Sequence, residues 1–155
     1  MKFKEVFKKW ELKSVKLNVK FADLEFSPNQ ADEDAAWEMY VELITRIATQ
    51  NLIDDEGDEK TALNSIYTLF PITRDILKKY GRSCNEFSKI AIIVLNQIIR
   101  PFTTKWHKQQ LDNQVNKISF RSELKDLQVA LRCYTKLLAE IAKVEDISAI
   151  NECCN

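Results

Sequence analysis

Residues 90–107 read IAIIVLNQIIRPFTTKWH, and this stretch carries the strongest structural signal in the chain. Its first ten residues, Ile90 to Ile99, are nearly all apolar. A run of this length is too short to cross a bilayer, because a membrane-spanning helix needs about 20 apolar residues. A run that is apolar on nearly every side is instead typical of a helix buried inside a bundle. We therefore predict a buried helix that continues to Pro101, where it kinks or restarts.

A compact group of charged, hydroxyl and aromatic side chains follows this apolar run. Guanidinium, ammonium and hydroxyl groups bind anions, and an indole ring stacks on nucleobases. The group predicts a binding site for a small anionic ligand such as a nucleotide, formed by Arg100, Thr104, Lys105, Trp106, His107 and Arg121. In the structural alternative, Phe102 and Trp106 fill the core. Arg100 then has a partly buried guanidinium that pairs with Glu38 or Glu42 of the first helix.

Helical spacing of apolar residues recurs in four segments, at 36–48, 62–80, 87–99 and 124–142. Capping residues place the starts of these helices at Ser27-Pro28, Asp58, Ser83 and Ser119. Pro71 is expected to kink or split the second helix, and Gly81 to cap its end. A short terminal helix is predicted at Val144–Ile150. A chain of 155 residues is long enough to bury a substantial core. We predict a mainly α single domain over residues 1–155, with a four-helix bundle in residues 27–155.

The first 26 residues differ from the rest of the chain. Met1 to Trp10 is basic and has four apolar residues at helical spacing, which are Phe3, Val6, Phe7 and Trp10. This pattern predicts a short amphipathic helix that packs on the domain, is partly frayed or contacts a membrane surface. Alternation from Val15 to Phe21 then predicts a half-buried strand, so a short β element is expected within residues 12–26.

Charge is segregated along the chain, although the totals of 23 basic and 23 acidic residues are balanced. Residues 1–20 carry seven lysines and two glutamates, whereas residues 21–59 carry twelve acidic residues and one arginine. Residues 60–155 carry fifteen basic and nine acidic residues. Segregated charge favours complementary contact within a fold or between subunits. It predicts interface residues on the first helix, namely Glu38, Glu42 and Arg46, and the alternative is a solvated face carrying a Glu42–Arg46 pair.

The residue counts exclude several classes of protein. Two isolated glycines, Gly57 and Gly81, cannot form the clustered phosphate-binding loop of a Rossmann or P-loop protein. A single histidine, His107, nearly excludes dimetal and triad chemistry based on histidine. The four cysteines form no CxxC pair, so no metal site and no cofactor are predicted. The neutral total charge disfavours nucleic acid as a partner. The basic N-terminus lacks the apolar stretch of a signal peptide, and we expect a cytoplasmic protein with reduced thiols.

Three weaker patterns each have a structural explanation. The acidic loop at 54–59 lacks the EF-hand spacing, and capping of the next helix by Asp58 explains it better. Paired carboxylates such as Glu38 and Glu42 can act in acid–base catalysis, but an exposed, salt-bridged helix face explains this pair better. Cys84 or Cys133 with His107 forms a nucleophilic pair only if the thiol is accessible, and a buried thiol is favoured.

Several stretches resemble a family of uncharacterised bacterial helical proteins. The motifs that carry the resemblance are WEMYVEL at 37–43, GDEKTALNSIY at 57–67 and RPFTTKWH at 100–107, with FRSEL at 120–124 extending it over most of the chain. The resemblance implies a bacterial protein associated with stress or anti-phage genes, and it implies no established activity.

The sequence thus leads to two hypotheses about function. The first is a non-enzymatic interaction or regulatory module that binds another protein or forms a homo-oligomer, because segregated charge is present and catalytic motifs are lacking. The second is a sensor for a small anionic ligand at the Arg100–His107 cluster. The second requires Arg100, Lys105, His107 and Arg121 to converge on one cavity.

Overall fold

The computed structural model describes residues 26–53 and 57–148, most of which are helical. The helical segments are, in chain order, α1 (Gln30–Ile44), α2 (Glu59–Tyr67), α3 (Leu69–Tyr80), a 3₁₀ turn (Gly81–Cys84), α4 (Asn85–Ile93), a π-helical segment (Val94–Ile99), α5 (Arg100–Lys108) and α6 (Gln114–Ala142). The predicted mainly α class and single domain are confirmed. The basic segment Met1–Trp10 and the predicted β element lie outside the described residues, apart from Phe26.

Four helical stretches surround one core: α1, the α2–α3 pair, the continuous α4–α5 stretch, and α6. The long α6 packs mainly against α1. Each stretch contributes fully buried apolar side chains, among them Tyr40, Leu69, Phe87, Ile99, Phe120 and Leu131. Burial of such side chains supplies most of the favourable free energy of folding. Leu131, predicted to lie in the seam of the last helix, is completely buried.

The start of α1 lies slightly later than the sequence predicts. Asn29, rather than Ser27, is the N-cap, and its side chain accepts hydrogen bonds from the backbone N–H groups of Ala31 and Asp32. Asp32 is fully buried, and both of its carboxylate oxygens have hydrogen-bond partners. One accepts from the Asn29 N–H, and the other accepts from the Phe87 N–H at 2.9 Å. Phe87 lies in the first turn of α4, so one carboxylate caps two helices and ties α1 to α4.

The second predicted helix is split, as Pro71 suggested, but the break lies three residues earlier, at Thr68. Pro71 occupies the first turn of α3, where a missing N–H costs nothing because that position has no intrahelical acceptor. Asp58 caps α2 as predicted, accepting from the Thr61 N–H at 2.8 Å. Gly81 ends α3 with φ of 58°, a conformation that favours glycine.

The buried stretch at 90–107 remains helical through Pro101. The helix starts at Asn85, two residues after the predicted Ser83, and it widens into a π-helical segment at Val94–Ile99. There the Arg100 N–H bonds the Leu95 carbonyl, five residues back. The ring of Pro101 would crowd a carbonyl four residues before it, and a wider turn accommodates that ring. A local widening thus lies where the sequence predicts a kink or a restart.

The last helix begins earlier than predicted and ends at Ala142, where the predicted pattern ends. It begins at Gln114 rather than near Ser119, with Asn113 as the N-cap. Lys143 ends it in the left-handed conformation, with φ of 57°. The predicted terminal helix is absent over residues 144–148, and residues 149–150 lie outside the described part. In that segment the Ile147 N–H donates to the Tyr40 hydroxyl instead of to a helical carbonyl.

A polar row on α6 holds the chain that leaves α1. The Gln128 side chain donates to the carbonyls of Ile47 and Gln50, at 2.7 and 2.6 Å. Further along the same face, Arg132 donates to the Thr49 carbonyl. These carbonyls follow the end of α1 and have no helical donor, so side chains of α6 satisfy them. Arg121 continues this row toward residues 53–59.

Candidate functional site

An open groove between α1 and α3 is the most promising surface in the described part of the chain. Its volume is about 420 Å³. It is lined by Trp37, Glu38, Val41 and Glu42 from α1 and by Ile72, Asp75, Ile76 and Lys79 from α3. Two of the three residues predicted as interface residues, Glu38 and Glu42, line it, and Arg46 lies one turn beyond. An apolar floor with charged rims is typical of a surface that binds a peptide segment.

Trp37 is the most unusual residue of this groove. It falls within the helical apolar spacing at 36–48, which predicts burial, but its exposed fraction is 47%. The indole ring stacks on Tyr40, with ring centroids 5.9 Å apart and an interplanar angle of 24°. Tyr40 is buried, so it holds one face of the indole in place. Large exposed aromatic side chains of this kind are concentrated at protein interfaces.

Glu38 stands on the rim beside Trp37 and bridges to α3. Its Oε1 accepts a hydrogen bond from the Tyr80 hydroxyl at 2.6 Å and another from the Lys79 ammonium. Burial by itself raises the pKa of Glu38, but the hydrogen bonds from Lys79 and Tyr80 and the charge of Lys79 outweigh that effect and lower it. The carboxylate therefore remains charged at neutral pH.

Glu42 forms the other end of the same rim. The Arg46 guanidinium donates to its Oε2 through Nε and NH2, at 2.9 and 2.6 Å, which confirms the predicted i,i+4 pair. Arg46 also donates to the Thr68 hydroxyl at 3.1 Å, which ties this rim to the α2–α3 junction. On the opposite rim Asp75 is exposed, and no basic side chain of the described residues pairs with it. Carboxylates thus stand on both sides of the groove.

The predicted anion-binding residues do not gather around one cavity. Arg100 is exposed, which corrects the expectation of a partly buried guanidinium. Its Nε donates to the Asn96 side chain at 3.0 Å, and the guanidinium lies 4.8 Å from the centre of the Phe70 ring. The expected pairing with Glu38 or Glu42 is wrong, because those carboxylates bond Lys79, Tyr80 and Arg46. An exposed Arg100 avoids the cost of burying a charge.

Lys105 and Trp106 instead share one carboxylate on α6. The Lys105 ammonium pairs with Glu123, and the Trp106 indole N–H donates to the other oxygen of Glu123 at 3.0 Å. Trp106 is buried, and its ring meets Phe120 edge to face, with centroids 5.3 Å apart. Phe102 is buried beside them, so the structural alternative for Phe102 and Trp106 is confirmed. The Trp106 ring has no free face on which a base could stack.

The remaining predicted ligand residues lie apart from each other. His107 meets Tyr67 edge to face, at 5.0 Å, beside a second groove of about 360 Å³ between α2 and the α5–α6 connection. The cation in that groove, Lys60, pairs with Asp112 at 2.7 Å. Thr104 is exposed on α5. Arg121 bonds Ile53, Gly57 and Glu59 and lines neither of these two grooves.

Replacing Arg100 with alanine tests this corrected placement. We expect the free energy of unfolding to fall by about 1 kcal/mol or less, because an exposed cation–π contact contributes about 0.5–1 kcal/mol. A fully buried arginine would instead cost about 3–5 kcal/mol. Urea denaturation of the wild type and Arg100→Ala distinguishes these values. Asn96→Ala, which removes only the hydrogen-bond partner, is the matched control.

Residues 26–53 and 57–148 offer little support for other kinds of site. No group of three or more His, Cys, Asp or Glu side chains in this part is arranged to hold a metal ion. Cys84 is buried and Cys133 half-buried, both as free thiols, and neither contacts His107. None of the described helices combines the length and apolar character required to cross a membrane.

Comparison of the chain with protein-family models, with curated proteins and with solved structures gives no match. The resemblance carried by the motifs at 37–43, 57–67 and 100–107 therefore stays a prediction. Evidence about function accordingly comes from the geometry of the α1–α3 groove.

Sequence reasoning identified Glu38, Glu42 and Arg46 but missed Trp37, Val41, Ile72 and Asp75. One signal was present, since α1 has more large apolar residues than one buried stripe accommodates. Tyr40 and Leu43 face the core, whereas Trp37 and Val41 lie on an adjacent face. A helix with a second apolar face beside acidic residues is typical of one that contacts another element.

Proposed function

We propose that this protein is a non-enzymatic protein-interaction module that binds a partner segment in the α1–α3 groove. The observation that carries the proposal is the exposed Trp37, held against Tyr40 at the edge of an apolar groove with carboxylates on both rims. A solvent-exposed indole on a rigid helix has little conformational entropy to lose when a partner covers it.

The chemistry of the groove defines its partner. Val41 and Ile72 are half-buried and supply an apolar floor, which matches an apolar ridge. Glu38, Glu42 and Asp75 stand beside that floor and match lysine or arginine residues on either side of the ridge. An amphipathic helix with basic flanks has this pattern, and binding of a helix in a groove is a recurrent mode of recognition. Charge on the rims then sets selectivity and the association rate.

The wider setting is also part of the proposal. The resemblance to bacterial helical proteins supports a regulatory component of a stress or anti-phage system, located in the cytoplasm. Homo-oligomerisation is one way to occupy the groove. A sensor for a small anion receives less support, because Arg100, Lys105, His107 and Arg121 contact different neighbours.

Peptide binding tests the proposal. We use a fluorescein-labelled amphipathic helix of leucine and lysine, and the same peptide with glutamate at every lysine. Fluorescence anisotropy is expected to show binding of the basic peptide and little binding of the acidic one. Trp37→Ala should weaken binding about 30-fold, since a hot-spot aromatic contributes about 2 kcal/mol.

The matched control is Ile92→Ala on α4, because Ile92 is also 47% exposed but lies outside the groove. We expect Ile92→Ala to bind the basic peptide as the wild type does. Equal affinity of Trp37→Ala and wild type would reject the groove as the binding surface. Equal binding of the basic and acidic peptides would reject the role of the carboxylates.

A further inference from the structure

We propose that the α1–α3 groove binds residues 1–10 of the same molecule. The inference rests on the proposed function, because it requires that the groove accepts a basic amphipathic helix. It goes further in naming the occupant. The chain would then cover its own binding surface, and a partner would have to displace this segment.

The sequence of residues 1–10, MKFKEVFKKW, has the pattern that the groove requires. At about 100° per residue, one helical face carries four apolar residues, namely Phe3, Val6, Phe7 and Trp10. Lys4 falls on one flank of this face, and Lys2 and Lys9 fall on the other. Glu5 and Lys8 lie on the side opposite the apolar face. Both flanks of the apolar ridge are therefore basic.

The lengths of the segment and of the groove agree. Phe3 to Trp10 covers seven residue steps, and so does the α3 wall of the groove from Ile72 to Lys79. At about 1.5 Å per residue, each is about 10 Å long. The apolar ridge of the segment and the α3 wall of the groove thus have the same length.

The charges of the segment and of the groove rims are also complementary. Glu38 and Glu42 stand on the α1 rim, where each already has one basic partner, and Asp75 stands on the α3 rim, so each basic flank would meet at least one carboxylate. Asp34, one turn before Glu38, is exposed and extends the acidic rim. Lysine pairs at such rims are worth little individually, but they orient a helix whose apolar face supplies most of the binding free energy.

The connecting chain is long enough. Phe26 packs against the core at the start of the described residues. The fifteen residues at 11–25 can span up to about 50 Å when extended. Glu42 lies about 18 Å along α1 from Gln30, which is well within that reach. A short tether also gives an effective concentration of order millimolar, which favours the same molecule over a second copy at micromolar protein.

Carbodiimide cross-linking of the full chain tests this inference, because it joins lysine amines to carboxylates that are in direct contact. We expect cross-links between the lysines of residues 1–10 and the rim carboxylates. Mixing ¹⁴N- and ¹⁵N-labelled protein shows whether each link lies within one molecule, and mass spectrometry should find unmixed isotopes. The Lys79–Glu38 link is the internal positive control, since this pair is in contact within the fold.

Three variants define the result. Phe3→Asp/Phe7→Asp places charge on the apolar face and should reduce these cross-links at least fivefold. Glu5→Gln changes the opposite face and should leave them unchanged. Trp37→Ala acts from the groove side and should also reduce them, so the test does not depend on one altered segment. Retention of the Lys79–Glu38 link in every variant shows that α1 and α3 remain packed.

Three outcomes would overturn the inference. Mixed ¹⁴N–¹⁵N links in the proportion expected for random pairing would assign the groove to a second copy. Absence of links to the rim, together with co-sedimentation of residues 1–10 with vesicles of phosphatidylserine and phosphatidylcholine, would assign the segment to a membrane surface. Absence of links without vesicle binding would leave the segment with no role at the groove.

The leucine–lysine peptide separates this inference from the proposed function. If the segment occupies the groove, Phe3→Asp/Phe7→Asp should bind the peptide about tenfold more tightly than the wild type, because the competing segment has been removed. Equal, Trp37-dependent binding to both proteins would overturn the inference and leave the proposed function standing. Failure of the peptide to bind either protein would overturn the proposed function itself.

Discussion

Leu131→Ala is expected to lower the free energy of unfolding by about 2–5 kcal/mol. Leu131 is fully buried near the middle of α6, the helix that packs along α1. Loss of its isobutyl group removes the transfer free energy of the buried carbons and leaves a cavity. The surrounding bundle closes that cavity only in part, since Leu124 and Leu138 on the same helix are themselves fully packed.

Urea denaturation followed by circular dichroism measures this effect. Val129→Ala is the matched control, because Val129 lies on the same helix and is 54% exposed. We expect that control to change stability by about 0.5 kcal/mol or less. A cost well under 1 kcal/mol for Leu131→Ala would mean that α6 does not present this side chain to the core.

Arg121→Ala should lower the free energy of unfolding by about 3 kcal/mol, at the low end of the cost of breaking a buried ion pair. Arg121 donates to the Glu59 carboxylate at 2.8 Å and to the carbonyls of Ile53 and Gly57, at 3.1 and 2.8 Å. Its removal would leave Glu59, which is 6% exposed, without its main partner. It would also remove a donor from both carbonyls, although the Ile53 carbonyl still accepts from the Gly57 N–H at 3.0 Å.

Lys125→Ala is the control, because Lys125 is exposed one turn further along α6. Arg121→Lys should cost nearly as much as alanine, since an ammonium group cannot reproduce the fork of the guanidinium. Chemical denaturation at pH 7 gives these differences. A loss below 1 kcal/mol in Arg121→Ala would contradict a structural role, and Arg121 would again become a candidate ligand residue.

The effect of Arg121→Ala on the free energy of unfolding should depend on pH. Burial by itself raises the pKa of Glu59, but the hydrogen bond and charge of Arg121, with Lys117, hold it below the ordinary value of 4.5. A lowered pKa in the folded state stabilises the protein above pH 4.5, and that stabilisation is lost as the pH falls through the lowered pKa. The stability difference between wild type and Arg121→Ala should therefore shrink between pH 5 and pH 3.

The helical class and the approximate positions of the helices follow from local sequence. Apolar spacing, Asp58 as a cap, Gly81 as a stop and the continuous run at 90–99 act within one or two turns, so they are visible without any tertiary contact. The i,i+4 pair of Glu42 and Arg46 is local in the same sense. Even here the predicted boundaries at Ser27 and Ser119 moved to Asn29 and Asn113, because several polar residues in each region are suitable caps.

The partners of the buried polar residues are determined by packing between segments that are far apart in the sequence. Asp32 looked like an ordinary acidic residue of a helix start, but it bonds the Phe87 N–H, 55 residues away. Arg121 looked like a member of an anion site, but it meets Glu59, 62 residues away. Nothing within one helical turn of either residue indicates these partners, because a buried polar group takes whichever partner the tertiary fold brings to it.

The candidate site was likewise predictable from the sequence only in part. Its charge was visible in the acidic sequence of residues 21–59, and Glu38 and Glu42 were identified from it. Its shape depends on the distance and rotation between α1 and α3, which leave Trp37 about half exposed while Tyr40, three residues later, is buried. A helical pattern gives the order of side chains around one axis. Only a neighbouring helix determines which of two apolar faces is covered and which remains open to a partner.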